Sequence, residues 1–238
     1  VIVSIFVNPT QFGPQEDFDR YPRSLEQDQR LLQSVGCAAL FLPTAGMIYP
    51  TGYLTTVQVA PLGQRLCGLT RPGHFQGVAT VVTILLNLVQ PDSVWLGLKD
   101  YQQFVLLRRM VTDLRLPSQV VGVATVREPD GLALSSRNRY LSPSERQQAA
   151  ALFKALTAAQ RLYHAGEDRR DRLIGQANDV LHQAGLTQID YIELCDPETL
   201  EIVPERLTAE AMLLLAVRLS SARLIDNMRL TRHSPNGS

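Results

Sequence analysis

Lysine is nearly missing from this chain: among 238 residues only Lys99 and Lys154 occur, and every other strong base is arginine. Net charge is missing as well, with 23 Lys plus Arg against 23 Asp plus Glu. A neutral chain has no long-range field to draw it onto nucleic acid or a membrane surface, so any anion site must be local. Cysteine is sparse. Cys37, Cys67 and Cys195 are odd in number and far apart, which argues against a disulfide framework or zinc site and for reduced, mostly buried thiols in a cytosolic protein. The longest apolar runs, such as Ala211 to Val217, are too short to span a bilayer. No signal peptide is visible. Gly-x-Gly-x-x-Gly, a Walker loop, metal-ligand spacing and a nucleophile–His–acid set are all lacking.

What remains is 45% hydrophobic and 19% charged, enough for one large domain or two modest ones. The first stretch, Val1 to Val7, is β-branched and reads as a central strand, apolar on both faces. It opens the chain without an initiator Met, from which an N-terminally truncated sequence is expected. Further strands are predicted at Ala38 to Leu42, Thr55 to Val59 (a short edge strand), Ser93 to Gly97 and Gln119 to Val123, with residues 44–54 as loop. Helices are predicted from Ser24 to Gly36, Val78 to Leu88 and Asp100 to Leu114. Strands alternating with helices predict a parallel α/β sheet, whose ligands lie at the carboxyl ends of the strands.

From Ser142 the pattern changes. Pro143 to Ala165 and Arg169 to Ala184 read as amphipathic helices, followed by strands at Gln188 to Leu194, Met212 to Val217 and Arg223 to Asn227. The expected organisation is residues 1–125 as a Rossmann-like domain, 126–230 as a smaller α+β domain, and 231–238 as a disordered tail or linker.

Three polar clusters fall at or near strand ends: Asn8 to Gly13, Gly97 to Gln103, and Leu134 to Arg139. In the second, Lys99 and Asp100 open a helix, whose N-terminus favours anions. A surface lysine beside an Asp100 helix cap is the equally available alternative. In the third, Ser135, Ser136 and Arg137 suit an anionic ligand, since hydroxyls donate and arginine can fork onto phosphate oxygens; on its own the stretch reads as well as solvated surface. It runs into a capping box, Ser142 with Glu145, with Pro143 at the first helical position. Gln11 and Gln103 can read hydroxyls and carboxylates. Arg71 and His74 lie in a Gly/Pro-rich stretch and read as lid residues or as a solvated loop.

Together, Val3-Ser4-Ile5-Phe6-Val7-Asn8-Pro9-Thr10-Gln11-Phe12, Arg71-Pro72-Gly73-His74-Phe75-Gln76-Gly77-Val78, Gly97-Leu98-Lys99-Asp100-Tyr101-Gln102-Gln103, Asp130 to Asn138 and Leu224-Ile225-Asp226-Asn227 resemble the pantoate–β-alanine ligases, from Val1 to about Leu230. The resemblance implies a cytoplasmic, homodimeric enzyme of the nucleotidylyltransferase superfamily. It would bind small molecules, with no nucleic acid and no membrane. ATP would be co-substrate, with Mg²⁺ carried by the nucleotide and no protein metal ligand. Carried over by motif, Gln11 and Gln103 hold pantoate and Gln11 borders the β-alanine site. Gly97, Leu98, Lys99, Asp100 and Val126 bind the nucleotide. Leu134, Ser135, Ser136 and Arg137 hold its phosphates. Lys99, Ser135, Ser136 and Arg137 carry the catalytic assignment.

Two departures qualify the resemblance. The family's His-x-Gly-His-type motif precedes its first block, where this chain starts, so the 238-residue chain is expected to be nearly inactive as it stands. Leu98 stands where the family usually has Glu, which is tolerable if the contact there is through backbone. A C-terminal fusion to a cytidylate kinase, as in cyanobacterial relatives, is compatible with the tail, although no kinase motif is present. The alternatives are another nucleotidylyltransferase and a non-catalytic nucleotide-binding fragment.

Overall fold

The computed structural model of the protein describes residues 1–14 and 16–231. The tail expected from Thr231 onward therefore lies, beyond Thr231 itself, outside the described residues.

Strands β1 (Ile2–Ser4) and β2 (Ala39–Phe41) pair in parallel across helix α1 (Leu25–Ser34). Glu26 and Asp28 in the first turn of α1 complement the helix dipole. The helix stops at Gly36, whose φ of 71° suits glycine. There Cys37 N–H bonds to the Leu32 carbonyl at 2.9 Å and Gly36 N–H to that of Gln33 at 3.1 Å, a Schellman closure. The expectation of a buried central strand fails here. Val1 is 91% exposed and Ile2 53%. β1 pairs with β2 alone among the described residues, so its β-branched run has little to bury it.

The predicted loop at 44–54 contains a short helix, α2 (Ala45–Ile48), capped by Thr44. The predicted edge strand at Thr55 to Val59 is irregular chain instead. Its alternation has another cause: Val57 and Val59 pack on the core, and Val57 N–H bonds to the Thr80 hydroxyl at 2.9 Å. The turn α3 (Cys67–Thr70) leads into α4 (His74–Val89), which starts a turn earlier than predicted. β3 (Ser93–Gly97), α5 (Tyr101–Asp113) and β4 (Gln119–Val123) follow as expected, with β3 and β4 parallel and in register from Ser93↔Gln119 to Gly97↔Val123.

In the C-terminal part the long helix predicted from Pro143 is two, α6 (Pro143–Ala149) and α7 (Ala151–His164), followed by α8 (Arg170–Gln183). The capping box forms as read from sequence: Ser142 Oγ accepts Glu145 N–H at 3.3 Å, and Glu145 accepts Ser142 N–H at 2.9 Å. β5 (Ile189–Cys195), β6 (Ala211–Arg218) and β7 (Arg223–Leu230) make an antiparallel sheet in that order.

This sheet divides two cores. Leu213, Leu215 and Val217 of β6 face α7 and α8, whereas Met212 and Leu214 face the cluster around α4 and α5. A strand buried on both faces reads as continuous apolar sequence, which is why Ala211 to Val217 shows no alternation. Truncating a fully buried member such as Leu215 to Ala is expected to cost about 2–5 kcal/mol. No helix among the described residues is long and apolar enough to cross a membrane.

Candidate active site

A cleft of about 940 Å³ lies where the Lys99–Gln103 stretch after β3, the first half of β7, Ser135 and Arg137, and the chain around Glu16 and Asp17 converge. That volume suits a small-molecule site.

Its first wall is the β3–α5 junction. β3 ends at Gly97, a 3-10 turn spans Leu98–Asp100, and α5 begins at Tyr101. The position a Cβ would take at Gly97 meets nothing within 4 Å, which leaves room for a ligand to approach the backbone. α5 is anchored by Phe104, Leu106, Leu107 and Met110, all buried. Asp100 occupies the cap position but makes no side-chain cap bond, contrary to the capping alternative. Its carboxylate lies 3.6 Å from Lys99 Nζ. Lys99 and Gln103 both line the cleft. Leu98 presents its backbone carbonyl to Asn227 and packs its side chain beside Gly122, where a Cβ would come within 2.7 Å of it.

The second wall is the loop that ends in Ser135–Arg137. Arg127 and Ala133 bridge in antiparallel fashion around a Glu128–Gly131 turn. Gly131 is required twice: its φ is 92°, and a Cβ would fall 2.2 Å from the Phe153 ring. Leu134 N–H bonds to the Val126 carbonyl at 2.9 Å, which brings those two residues side by side. Ser135 caps the 3-10 helix Ser136–Tyr140 by accepting Arg137 N–H at 3.3 Å. Ser136 Oγ meets the Tyr21 hydroxyl at 3.1 Å. Arg137 forks onto Asp17 through Nε at 3.0 Å and Nη2 at 2.9 Å, and lies over the Tyr21 ring. Burial alone would lower the Arg137 pKa; the Asp17 carboxylate more than reverses this and leaves it raised.

The third wall is Arg71 with the start of α4 (His74 and Phe75), backed by the Asn8–Gln11 turn outside the cleft. Asn8 is buried and its side chain is committed to structure. It accepts from Thr10 Oγ1 and from the Tyr49 hydroxyl, both at 2.9 Å, and donates to the Gly77 carbonyl at 3.1 Å. Turn chemistry is thus a sufficient account of Asn8. A Cβ on Gly77 would sit 2.6 Å from the Thr10 carbonyl oxygen, so only glycine lets α4 approach this turn. The Gln11 side-chain oxygen accepts from Asn8 at 3.3 Å. The Gln11 carbonyl accepts from His74 Nδ1 at 2.9 Å and Arg71 Nη2 at 3.3 Å. A carbonyl only accepts, so His74 carries its proton on Nδ1, and Nε2 accepts from Arg71 Nη1 at 3.0 Å. Burial, with the neighbouring Arg71 adding to it, lowers the His74 pKa to about 4, so the ring is neutral near pH 7. Arg71 also forks onto Glu16 at 2.6 Å through both Nε and Nη2. Arg71 and His74 therefore sit in an ordered network, unlike the solvated loop that was the alternative.

Of the residues singled out from sequence, Lys99, Asp100, Gln103, Ser135 and Arg137 line this one cleft. Gln11, Gly97, Leu98, Val126, Leu134 and Ser136 are in the adjoining chain and do not line it. Sequence reasoning passed over Glu16 and Asp17, which lie in a stretch read as plain loop, and Arg223, held by Asp190 at 2.6 Å beside Tyr191 and Cys67. An adjacent acid pair after Gly13-Pro14 was the one available signal for the former; their arginine partners lie 55 and 120 residues away.

A family model described as pantoate-beta-alanine ligase matches residues 1–229. The pantothenate synthetase of Syntrophotalea carbinolica is 53% identical over 227 residues, covering 95% of this chain and 80% of that protein. That of Magnetococcus marinus is 53% identical over 232 residues, covering 97% and 80%. The crystal structure of pantothenate synthetase from Thermus thermophilus has a TM-score of 0.93 at 48% identity, covering 97% of this chain and 83% of that one. A pantoate-beta-alanine ligase from Francisella tularensis, crystallised with beta-gamma ATP and beta-alanine, has a TM-score of 0.75 at 34% identity, covering 95% and 78%. Parallel pairs flanked by helices with a smaller antiparallel part are thus the α/β fold of these structures, and the chain belongs to the pantoate–β-alanine ligase family.

Proposed function

We propose that the protein condenses pantoate with β-alanine to pantothenate, using ATP and releasing AMP and pyrophosphate. In the first step a pantoate carboxylate oxygen attacks the α-phosphorus of ATP, and the bond to pyrophosphate breaks. In the second the neutral β-alanine amine attacks the acyl carbon of pantoyl adenylate. AMP leaves with the electron pair of the acyl–oxygen bond, and the amine loses its proton.

The observation that carries this reading is the convergence of Lys99, Gln103, Ser135 and Arg137 on one cleft in a member of this family. Attack at phosphorus builds negative charge on the α-phosphate oxygens and on pyrophosphate. Lys99, the Ser135 hydroxyl and Arg137, which line the cleft, would offset that charge, joined by the Ser136 hydroxyl if it turns from Tyr21. Gly97 to Asp100, Val126 and Leu134 would hold the nucleotide by backbone, which fits the open space at Gly97 and the inward packing of Leu98. Gln103 and Gln11 would hold pantoate, with Gln11 also next to β-alanine. Gln11 does not line the cleft, so this role requires its side chain to turn away from Asn8. Holding both reactants in line supplies much of the remaining acceleration. Mg²⁺ would arrive with the nucleotide.

Asp17 occupies the fork of Arg137 that a phosphate would take, so nucleotide binding exchanges one anionic partner for another. We also infer a homodimer acting in the cytoplasm, and a division near residue 125 between the nucleotide part and the part carrying Ser135–Arg137. The family match across residues 1–229 does not favour another nucleotidylyltransferase or an inert nucleotide-binding fragment.

The test is exchange of labelled pyrophosphate into ATP by the protein as its gene encodes it. Exchange is expected to require pantoate and to proceed without β-alanine. Exchange that ignores pantoate and responds to another acid would overturn the assignment.

A further inference from the structure

One motif carries no role in the reading above: Asp226-Asn227 on β7. The two side chains leave the strand on opposite faces. Asp226 is opposite Leu215, which belongs to the α7–α8 core, and Asn227 is opposite Leu214, which belongs to the α5 core. Adjacent residues thus reach the first and second walls of the cleft from the sheet that divides the cores.

Asn227 reaches the first wall. Its amide nitrogen donates to the carbonyls of Leu98 and Lys99, both at 2.9 Å. An amide NH₂ has two N–H donors, and both are used on the turn that carries Lys99. Asp226 reaches the second. Its oxygens accept Arg127 Nη1 at 2.7 Å and Nη2 at 2.9 Å. Arg127 also donates to the Gly131 carbonyl at 3.0 Å and stacks over the Phe153 ring, so it fixes the turn leading to Ser135–Arg137. One Asp226 oxygen further accepts the Asn227 backbone N–H at 2.8 Å, which joins the two attachments directly. Both residues also border the cleft, but the Asn227 N–H donors and the Asp226 oxygens are spent on the turn and on the loop, and it is these bonds that give the pair its role.

We propose that Asp226-Asn227 is a positioning pair that sets the spacing between the Lys99 turn and the Ser135–Arg137 loop. The inference rests on the nucleotide reading of the cleft. Adenylate formation needs both loops on one triphosphate. Transfer to β-alanine follows the departure of pyrophosphate and depends less on their spacing.

The experiment separates the two half-reactions in the protein as its gene encodes it. Pantoate-dependent pyrophosphate exchange is measured beside β-alanine transfer from synthetic pantoyl adenylate. Asn227→Ala is expected to lower exchange about tenfold or more and to leave transfer within about twofold. Asn227→Asp keeps the shape of the side chain, but a carboxylate facing two carbonyls cannot donate. Its exchange, relative to wild type at each pH, is expected to recover as pH falls and the carboxyl gains a proton. Asp226→Asn should lower exchange less than Asn227→Ala, because a neutral amide still accepts one Arg127 bond.

Exchange and transfer falling together in Asn227→Ala, or an Asn227→Asp profile parallel to wild type, would overturn the positioning role. Failure of the underlying reading looks different: wild-type exchange would itself be independent of pantoate.

Discussion

The first and second walls of the cleft are held by different forces. The Lys99 wall is fixed by packing. α5 buries Phe104, Leu106, Leu107 and Met110, and the turn before it is tied by neutral hydrogen bonds from Asn227. The Arg137 wall is fixed by charge. Arg137 pairs with Asp17, and the neighbouring Arg71 pairs with Glu16. Burial alone would raise both carboxyls, but their arginines more than reverse this and hold them below the usual carboxylate range. Packing and neutral hydrogen bonds are not weakened by ionic screening, whereas partly exposed ion pairs are. A packed wall can be preset for a ligand. A charged wall must give up one partner to take another.

The largest effect should come from removing the positive charge on the packed wall. Lys99→Ala is expected to reduce adenylate formation about 10²–10³-fold, the usual consequence of losing one preset donor. The thermal midpoint should barely move, since the Lys99 side chain has a long 3.6 Å contact with its neighbour Asp100 and the carbonyl that Asn227 holds is kept in the variant. An equal loss of stability and activity would mean that the packing argument misplaces Lys99.

Next is Arg137→Ala, with an expected loss of about 10²-fold in adenylate formation. Arg137→Lys should rescue little, because a point charge cannot reproduce the fork. Stability should fall by less than activity does, as read by denaturant titration. Losses of the same size would return Ser135–Arg137 to plain surface.

Asp17→Asn probes the charged wall directly. With its competitor neutralised, Arg137 is expected to bind ATP several-fold more tightly at low ionic strength. The gain should shrink toward 1 M salt, where the screening length is about 3 Å. Calorimetry at two salt concentrations checks it, and a gain unaffected by salt would point to a rearranged loop.

A smaller effect concerns His74. Its folded pKa is about 4, below the ordinary 6.5, so the unfolded chain binds a proton between those values that the folded protein refuses. Stability is therefore full above about pH 6.5 and falls as pH drops through that window, by at most about 1.4 kcal/mol per pH unit. His74→Gln should flatten the slope between about pH 6.5 and 5.5, above the ordinary carboxylate range. An unchanged slope in that variant would assign it elsewhere.

The smallest effect is expected from Leu98→Glu: ATP affinity within about twofold, because Leu98 contributes a carbonyl that Asn227 already holds. A large change would show that the side chain takes part.

Much of this was readable without coordinates. Period, caps and punctuation located α1, α4, α5, α8, β3, β4 and the antiparallel strands, because those signals act within a few residues of the chain. The Ser142–Glu145 box is local chemistry and formed as written. The failures share one cause. Val1 to Val7 has the composition of a buried strand, yet Val1 and Ile2 are exposed, since burial depends on what packs alongside. Thr55 to Val59 alternates because Val57 and Val59 pack on the core around α4 and α5 from irregular chain. The break between α6 and α7 falls in a continuous helical pattern.

By itself the sequence determined the family, through blocks specific enough to identify without a fold, and the elements whose causes lie within one or two turns of chain. Tertiary structure alone decided that Lys99 and Arg137 share one cleft, that Arg137 already holds Asp17 across 120 residues, and that Asp226 and Asn227 face opposite walls. Charge pairing and cross-strand contact depend on distance in space, which the order of residues does not fix until the cores have closed.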